Sequence, residues 1–535
     1  MNFVIRIFFI YLINMGIVYG IDSNIVKQHN IIFSDLEKHI YNDRYSFNNP
    51  LIIVNPYNIS PLTAYIIFST QDYTKVNVII NEKDKCHLSY STNKISRNHL
   101  IPIFGLIQGN NTVKLKIKNN YNSFEKEFRI KTDKIKFNAE IKVIKGRNIK
   151  CKNKMIFVSQ TYPGQPSFNF FAFNKNGHVI WTLNDNKIGA SSSLFKDENG
   201  YLLVNSNKNN KRPYYFSSYY KINLMGRIVQ EINNYGYGHH EIIQLPNENY
   251  LALVDDLNQN TIEDRVVELD KNGKSLNIWD FKQILNLDKI EAPEIYKYYA
   301  LNNKQSSANK DWIHLNSLTY DDIDESIIVS SRSLNAIIKI GYNDKKIKWI
   351  LTDPHQDWIT PQQRKFILKP LIKNNTNPFT YGQHSLSLLD KNTILVFDNG
   401  LHYDLFRRNI YKPNKIYNLK NNRSRVLKFS IIENIMFKYE VIHEKNYHYY
   451  STFLGSVSKS NGNYLINYGG ILKENGNPSD NIRKILFGEI KNSIGYSSIF
   501  EIKNNKEIFN ADIKSNGIST TYRARMFNVT DFLTN

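Results

Sequence analysis

Three histidines occur at related places in repeated segments of the chain and are candidates for one shared reactive site. His240 precedes Leu251 by the same spacing as His384 precedes Leu395, and both leucines lie in apolar segments of similar pattern. In a third such segment, the spacing from His314 to Ile327 is two residues longer than in the other two. We expect the two extra residues to lie in an Asp-rich turn. A neutral imidazole is a good nucleophile toward a sulfuryl or phosphoryl group. The pattern predicts transfer of an anionic group at a site that several repeats build together.

Three polar residues near these histidines extend the candidate site. Arg332 ends the strand predicted after His314, and Asn316 lies two residues after His314, on the same face of an extended strand. His239 is expected to face away from His240 if both residues are extended. A single histidine is usually structural, but three at matched positions beside an arginine indicate a site.

Two kinds of chemistry fit three histidines with an arginine. In sulfuryl or phosphoryl transfer, charge spreads over oxygens that Arg, protonated His and Asn donors stabilise. One of the paired histidines, His239 or His240, would then supply the proton for the leaving group. The alternative is a metal-dependent hydrolase in which three neutral histidines hold zinc. An arginine beside the histidines repels a dication and the chain has no HExxH spacing, so we predict no metal ligands.

The histidines converge only if the chain folds as a rotational repeat, and hairpin signals after residue 140 predict one. Six times, two alternating apolar runs flank a two-residue turn, and another short strand precedes most of these hairpins. Four strands a unit predict an all-β fold with a six-bladed β-propeller at residues 141–535, rather than two stacked sandwiches. Helical insertions are expected at 280–309 and 360–371. The turns are Asn176-Gly177, Met225-Gly226, Asn272-Gly273, Asn343-Asp344, Glu433-Asn434 and Asn504-Asn505.

The chain up to position 140 has a different character. Residues 1–20 combine a basic residue, a short apolar run and a small residue at position 20, which is typical of a secretory signal peptide. Residues 21–140 contain four alternating runs and predict an N-terminal β-sandwich. No later stretch approaches eighteen apolar residues, so no membrane segment is expected after signal cleavage. The two cysteines, Cys86 and Cys151, allow one disulfide, which the sequence alone does not establish.

The composition argues against nucleic-acid binding although the chain is basic. The 535 residues include 69 Lys+Arg and 48 Asp+Glu, a formal net charge of +21. The basic residues are spread along the chain without forming runs, so we predict no nucleic-acid partner. The chain also has no GxxxxGK[ST] phosphate loop, so no nucleotide and no other cofactor is expected. A non-catalytic propeller that binds an anion or a glycan is the second alternative function.

Short motifs in a fixed order make the chain resemble a known family, the bacterial periplasmic aryl-sulfate sulfotransferases. The resemblance covers nearly the whole chain after the signal segment. Each motif is weak alone, but their order and joint presence are specific. They are NPY (55–57), SPLTA (60–64), IPIFGL (101–106), HHE (239–241), LPN (245–247), DWIHLNS (311–317), SSR (330–332), QHS (383–385) and FDNG (397–400).

The resemblance implies transfer of a sulfuryl group from a phenolic sulfate ester to a phenolic acceptor, without a nucleotide donor, by a periplasmic enzyme that forms a homodimer. The family's catalytic histidine falls on His384, which would carry a transient sulfohistidine in a ping-pong cycle. His314 and Arg332 match the sulfate-binding residues, with Asn316 beside them. A third family histidine falls on the paired histidines, where repeat phase favours His240, with His239 beside the substrate.

The chain departs from the family's pattern in two places. Some members have a disulfide shortly after the catalytic histidine, and this chain has no cysteine beyond Cys151. A family threonine that contacts the sulfuryl oxygens is expected near residues 450–457, where either Thr452 or Ser456 matches.

Overall fold

The computed structural model describes residues 25–533 with gaps. The gaps are residues 43, 120, 138, 148–150, 152, 162–167, 184–187, 189–193, 207–214, 257–260, 287–310, 357, 372–376, 401–422, 480–492 and 516–517. The predicted signal peptide, residues 1–20, lies outside the described residues. Within the described part of the chain, each helix is too short or too polar to span a lipid bilayer.

The N-terminal domain is built around one long strand shared by two sheets. The first half of β2 pairs with β1 and β4, and its second half pairs with β3 and β5, which in turn pairs with β6. All four alternating runs predicted for this domain lie within its strands, which confirms them. The elements are α1 (Ile25–Ile40), β1 (Leu51–Val54), β2 (Thr63–Ile80), β3 (Leu88–Ser91), β4 (Ser96–Phe104), β5 (Gly109–Lys118) and β6 (Ser123–Thr132).

The described residues from Ala139 onward form the predicted six blades. Strands β7 to β16 are Ala139–Lys145, Lys154–Thr161, Phe168–Phe173, Val179–Leu183, Leu202–Asn205, Phe216–Ile222, Ile228–Gln244, Tyr250–Asp255, Arg265–Leu269 and Ser275–Asp280. Strands β17 to β24 are Leu315–Asp321, Ser326–Ser331, Ala336–Gly341, Ile347–Leu351, Lys369–Pro370, His384–Asp390, Thr393–Asp398 and Arg425–Ile432. Strands β25 to β31 are Met436–Glu444, Ser456–Ser460, Asn463–Glu474, Asn477–Pro478, Ser493–Lys503, Lys506–Ser515 and Thr520–Asn528.

Each blade is an antiparallel sheet with one of its end strands nearest the propeller axis. From the axis outward, the blades are β31-β8-β9-β10, then β11-β12 with the first half of β13, then the second half of β13 with β14-β15-β16. They continue as β17-β18-β19-β20, β22-β23-β24-β25, and β26-β27-β29-β30 with β7 outermost. In the second blade, an inner segment meets the sheet through the single bridges Ile188–Ser206 and Lys196–Leu202. Six blades around one axis confirm the predicted fold class.

The six predicted turns all join adjacent strands of a blade, namely β9–β10, β12–β13, β15–β16, β19–β20, β24–β25 and β29–β30. Glu433 and Asn434 have φ values of 50° and 55°, the left-handed conformation that matches a tight turn to the twist of its strands. The predicted helical insertions contain α2 (Phe281–Leu285) and α3 (Pro361–Arg364). The remainder of the first insertion, residues 287–310, lies outside the described residues.

Both ends of the propeller sequence close the ring. The C-terminal strand β31 pairs with β8 as the innermost strand of the first blade. The N-terminal strand β7 pairs with β30 as the outermost strand of the last blade. The propeller therefore begins at Ala139, close to the predicted boundary after residue 140.

The two domains pack against each other on one side of the propeller. The backbone amide of Ile228 donates to Nδ1 of His29 on α1 at 2.9 Å, and the guanidinium of Arg227 lies 3.7 Å from the centre of the Phe33 ring. Cys86 and Cys151 form a disulfide that ties the sandwich to the start of the propeller. The pairing that the sequence left open is therefore present.

Candidate functional site

The three predicted histidines meet at the centre of the propeller. The inner strands contact one another around the axis, from β13 to β17, β22, β26 and β31. The ring centroids of His240 and His314 lie 4.9 Å apart, and all three imidazoles are buried. His384 is the first residue of β22 and lies close enough to alter the titration of His240 electrostatically. The expectation that rotational repetition gathers distant residues is confirmed.

The explanation offered for the different spacing of His314 holds against one of the two other segments. Four residues separate the paired Asp321 and Ser326 in the Asp-rich turn, against two in the turn between β22 and β23 but five in the turn between β13 and β14. At the other end of the strand, His314 precedes β17 in a left-handed conformation with φ 48°. Its ring still reaches the axis because the backbone turns there.

The condition under which His239 and His240 would face opposite ways, an extended backbone at both residues, is not met. His240 has φ 47°, so the backbone is not extended and side chains do not alternate across it. The two Nδ1 atoms lie 2.8 Å apart. His240 contacts the rings of His314 and Tyr522, whereas His239 packs against Tyr215. Of the pair, His240 is the residue that faces the other histidines.

Hydrogen bonds fix which nitrogen of His384 carries the proton. Its Nδ1 lies 2.7 Å from Oδ1 of Asn399 and 3.0 Å from the carbonyl oxygen of Gly382, and both atoms are acceptors. The amide of Asn399 is itself oriented because Nδ2 donates to the carbonyls of Ser451 and Leu454 at 2.9 and 2.8 Å. Nδ1 of His384 therefore carries the hydrogen, and Nε2 keeps its lone pair.

His384 is neutral at physiological pH. Burial lowers its pKa well below 6.5, and the positive charges of Arg332 and His314 lower it further. A neutral imidazole with a fixed tautomer is the form that attacks an electrophile. Sequence reasoning gave Asn399 no role, although it lies in the FDNG motif. Its position could have pointed to it, because Asn399 directly follows the second strand of its blade, as Arg332 does in the preceding blade.

His314 carries the opposite charge state. Burial lowers its pKa, but the Asp311 and Glu263 carboxylates outweigh burial and raise the pKa to about 10. Its Nδ1 lies 2.5 Å from Oδ2 of Asp311 and 2.6 Å from Oε2 of Glu263. Glu263 also accepts a hydrogen bond from the Tyr215 hydroxyl at 3.0 Å. The site therefore holds a buried imidazolium whose two carboxylates sequence reasoning did not single out.

The charge of His314 predicts an alkaline limit to activity. A pKa raised from 6.5 to about 10 means that the bound proton stabilises the folded state fully below pH 6.5, and that this stabilisation disappears as pH rises through about 10. We expect the rate of donor cleavage to fall over the same upper range. Rapid-mixing measurement of the first phenol release avoids the titration of the acceptor. A rate that stays constant through pH 10 would show that the imidazolium is not needed.

Arg332 and Asn316 are fixed by backbone contacts beside the histidines. The amide of Arg332 donates to the carbonyl of His314 at 3.0 Å, and Arg332 is 8% exposed. Nδ2 of Asn316 donates to the carbonyl of Gln383 at 2.8 Å. The structure thus places Arg332 beside the imidazoles and uses the amide of Asn316 to hold the residue that precedes His384.

The sequence profile of the family described as "Arylsulfotransferase (ASST)" matches residues 140–523. The chain belongs to the arylsulfotransferase family. The "Arylsulfotransferase Ig-like domain" matches residues 51–133, in agreement with the N-terminal sandwich. The enzyme class predicted from the resemblance, an aryl-sulfate sulfotransferase, is confirmed, and the non-catalytic alternative is set aside.

This arylsulfotransferase has relatives of moderate sequence similarity. Arylsulfate sulfotransferase AssT of Escherichia coli O6:H1 is 26% identical over 442 residues, covering 65% of this chain and 73% of that protein. AssT of Lelliottia amnigena is 25% identical with the same coverage. Among solved structures, a putative 6-phosphogluconolactonase from Bacteroides uniformis has 10% identity and a TM-score of 0.35, covering 70% of this chain and 100% of that one. The β-propeller domain of Myceliophteria thermophila Cps50 has 10% identity and a TM-score of 0.31, covering 74% and 87%.

The described residues of this arylsulfotransferase do not assemble the zinc triad of the alternative metal-dependent hydrolase. Two sets of described residues place ligand atoms within 4.8 Å of one another, and neither contains His384. This geometry disfavours the metal-dependent hydrolase. The two sets are His239, His240 and Glu263, and Glu263, Asp311 and His314.

Both candidates for the family threonine are used structurally. The hydroxyl of Thr452 donates to the carbonyl of Gly470 at 3.3 Å. The hydroxyl of Ser456 accepts from the amide of Ala524 at 3.0 Å and so ties β26 to β31. In this arylsulfotransferase, the neighbouring carbonyls of Ser451 and Leu454 serve the site by orienting Asn399.

Proposed function

We propose that the enzyme transfers a sulfuryl group from a phenolic sulfate ester to a phenolic acceptor by a ping-pong mechanism, through a sulfohistidine on His384 and without a nucleotide donor. The observation that carries this proposal is the fixed neutral tautomer of His384, whose Nδ1 is held by Asn399 and Gly382. This arrangement leaves Nε2 as the nucleophilic atom. It also explains why the nucleophile needs neither a metal nor a general base.

In the first half-reaction, Nε2 of His384 attacks the sulfur of the donor. A nitrogen–sulfur bond forms, the bond from sulfur to the aryl oxygen breaks, and the phenolate leaves with the electron pair. The sulfuryl oxygens carry the charge of the transition state, and the guanidinium of Arg332 and the imidazolium of His314 are the cations that stabilise it. Preformed charges of this kind need no reorganisation during the reaction.

The proton for the leaving group comes from His314 in this proposal. The earlier expectation that the paired histidines supply it is not supported, because burial and the charge of His314 lower the pKa of His239 to about 3 and also lower that of His240 well below 6.5. In the second half-reaction, the acceptor phenol returns its proton to His314 and attacks sulfur. The nitrogen–sulfur bond breaks, and His384 recovers its lone pair.

A periplasmic location is part of the proposal. The predicted signal peptide at residues 1–20 supports it, as does the Cys86–Cys151 disulfide, because disulfides persist in oxidising compartments such as the periplasm. The homodimer implied by the family resemblance stays a prediction.

Mass spectrometry tests the covalent intermediate directly. Enzyme mixed with an aryl sulfate and no acceptor is expected to gain one sulfuryl group, located on the peptide that contains His384. Addition of phenol should remove the group and release phenyl sulfate. Stoichiometric phenol release without any modified peptide, or modification of a different residue, would contradict the proposed intermediate.

A further inference from the structure

A buried ion pair crosses the propeller axis between the first and third blades. The guanidinium of Arg523, on the closing strand β31, contacts the carboxylate of Glu241, on β13. Arg523 is 1% exposed and Glu241 is 3% exposed. Glu241 directly follows His240 in the chain, so one end of the ion pair is fixed to the backbone of a site histidine.

A first hydrogen-bonded path leads from this ion pair to the strand that carries His384. The hydroxyl of Ser317 donates to Oε2 of Glu241 at 3.1 Å. The oxygen of Ser317 accepts a hydrogen bond from the backbone amide of Leu386 at 2.9 Å. Leu386 lies two residues after His384, so Glu241 is connected to the far side of the nucleophile's backbone.

A second path reaches the near side of the same histidine. The carbonyl oxygen of Asn316 accepts hydrogen bonds from the guanidinium of Arg523 at 3.3 Å and from the hydroxyl of Tyr522 at 3.2 Å. The side-chain amide of Asn316 donates to the carbonyl of Gln383 at 2.8 Å. Gln383 directly precedes His384. The backbone on both sides of the nucleophile is therefore connected to one buried ion pair.

A buried ion pair is a weak source of stability, because desolvation of the two charges offsets most of their attraction. Its position suggests a different use. The charge of Arg523 acts on the imidazoles of both His240 and His384, in addition to burial and the nearer charges. The groups that act on His384 are Arg332, His314 and Arg523, with Asn399 as its hydrogen-bond partner.

We infer that Arg523 and Glu241 are a positioning pair for sulfuryl transfer, which holds the backbone on both sides of His384 while Arg523 places a positive charge near its imidazole. This inference rests on the proposed role of His384 as nucleophile. The closing strand is then a working part of the site as well as the strand that completes the first blade.

Opposite changes to the two charges test this inference. Arg523→Met removes the positive charge and leaves Glu241, so the pKa of His384 should rise. We expect kcat to fall about 100-fold, the scale of a small misplacement of a reacting group, and the acid limb of the kcat profile to move to higher pH. Glu241→Gln leaves the positive charge unopposed, so kcat should fall while the acid limb stays in place or moves to lower pH. Arg523→Lys keeps the positive charge, so it should lower kcat without moving the acid limb to higher pH.

Lys339→Met is the matched control. Lys339 forms a buried ion pair with Asp321 at 2.7 Å in the fourth blade, and its other described ion-pair partner, Asp324, also lies outside the site. We expect a stability loss from this variant, measured by thermal unfolding, with an unchanged pH profile. The inference would be overturned if the pH profile shifted equally in the Lys339→Met and Arg523→Met variants. It would also be overturned if the acid limb moved to higher pH in Arg523→Lys.

The wild-type enzyme separates the two possible failures. If wild-type enzyme forms no sulfohistidine at His384, the proposed function fails. If it does so while Arg523→Met retains the wild-type rate and acid limb, the positioning role fails and the proposed function stands.

Discussion

Replacement of His384 by asparagine is expected to lower kcat for sulfuryl transfer by at least ~10⁴-fold, the scale of losing a catalytic nucleophile. Asparagine is polar and fits a site built for imidazole, but its amide nitrogen has no available lone pair to attack sulfur. The hydrogen-bonded chain through Asn399 pre-sets the imidazole for this step, and nothing else on β22 replaces it. Initial rates with an aryl sulfate and phenol, followed at saturating donor, measure the effect.

His443→Asn is the control for the loss of an imidazole as such. His443 is half-buried on β25, burial lowers its pKa to about 4, and its Nδ1 lies 2.9 Å from the hydroxyl of Tyr468, in the outer part of the fifth blade. This variant should retain wild-type turnover. Near-normal turnover by His384→Asn instead would rule out His384 as the nucleophile, whatever the result for His443.

The Arg332→Met variant should lose about 10²–10³-fold in kcat, the cost of removing one preformed donor to a developing anion. Since the positive charge of Arg332 is the largest cause after burial that lowers the pKa of His384, its removal should also move the acid limb of the pH profile to higher pH. The rate of the first phenol release at several pH values measures both effects.

Arg332→Lys distinguishes the charge of this residue from its shape. Lysine keeps the charge, so the acid limb should return toward its wild-type position, but it cannot present the planar pair of donors that suits an oxyanion, so kcat should recover only in part. The backbone contact from residue 332 to His314 does not involve the side chain, so we expect it to persist in all these variants. A change confined to KM, with kcat intact, would show that Arg332 binds donor without stabilising the transition state.

The fold was predictable from sequence because its signals are local. Tight turns such as Asn176-Gly177 and Asn272-Gly273 occur where the backbone needs positive φ, and their recurrence sets the number of blades. The convergence of His240, His314 and His384 follows from that number, since equivalent strands of a closed ring approach one axis. In a propeller, residues at equivalent positions of the sequence repeats therefore come together at the central axis.

The finer geometry of the site had no local signal. The backbone is left-handed at His240 and His314, so side chains there do not alternate between the two faces of the strand as they do in an extended segment. No residue type in those segments indicates this conformation. Glu263 reaches the site from the segment just before β15, and Arg523 reaches it from β31. Glu263 is far from His314 along the chain, and Arg523 is further still from Glu241. Only tertiary pairing reveals that these charges surround the histidines.

The strand that closes the ring also forms part of the site. Tyr522, whose ring lies 5.8 Å from that of His240, belongs to β31, which follows every other strand of the propeller in the chain. A ribosome or translocon from which β31 has not yet emerged therefore holds a polypeptide whose reactive cavity lacks one wall. Turnover is expected only after this strand has emerged, even where the preceding blades have already formed.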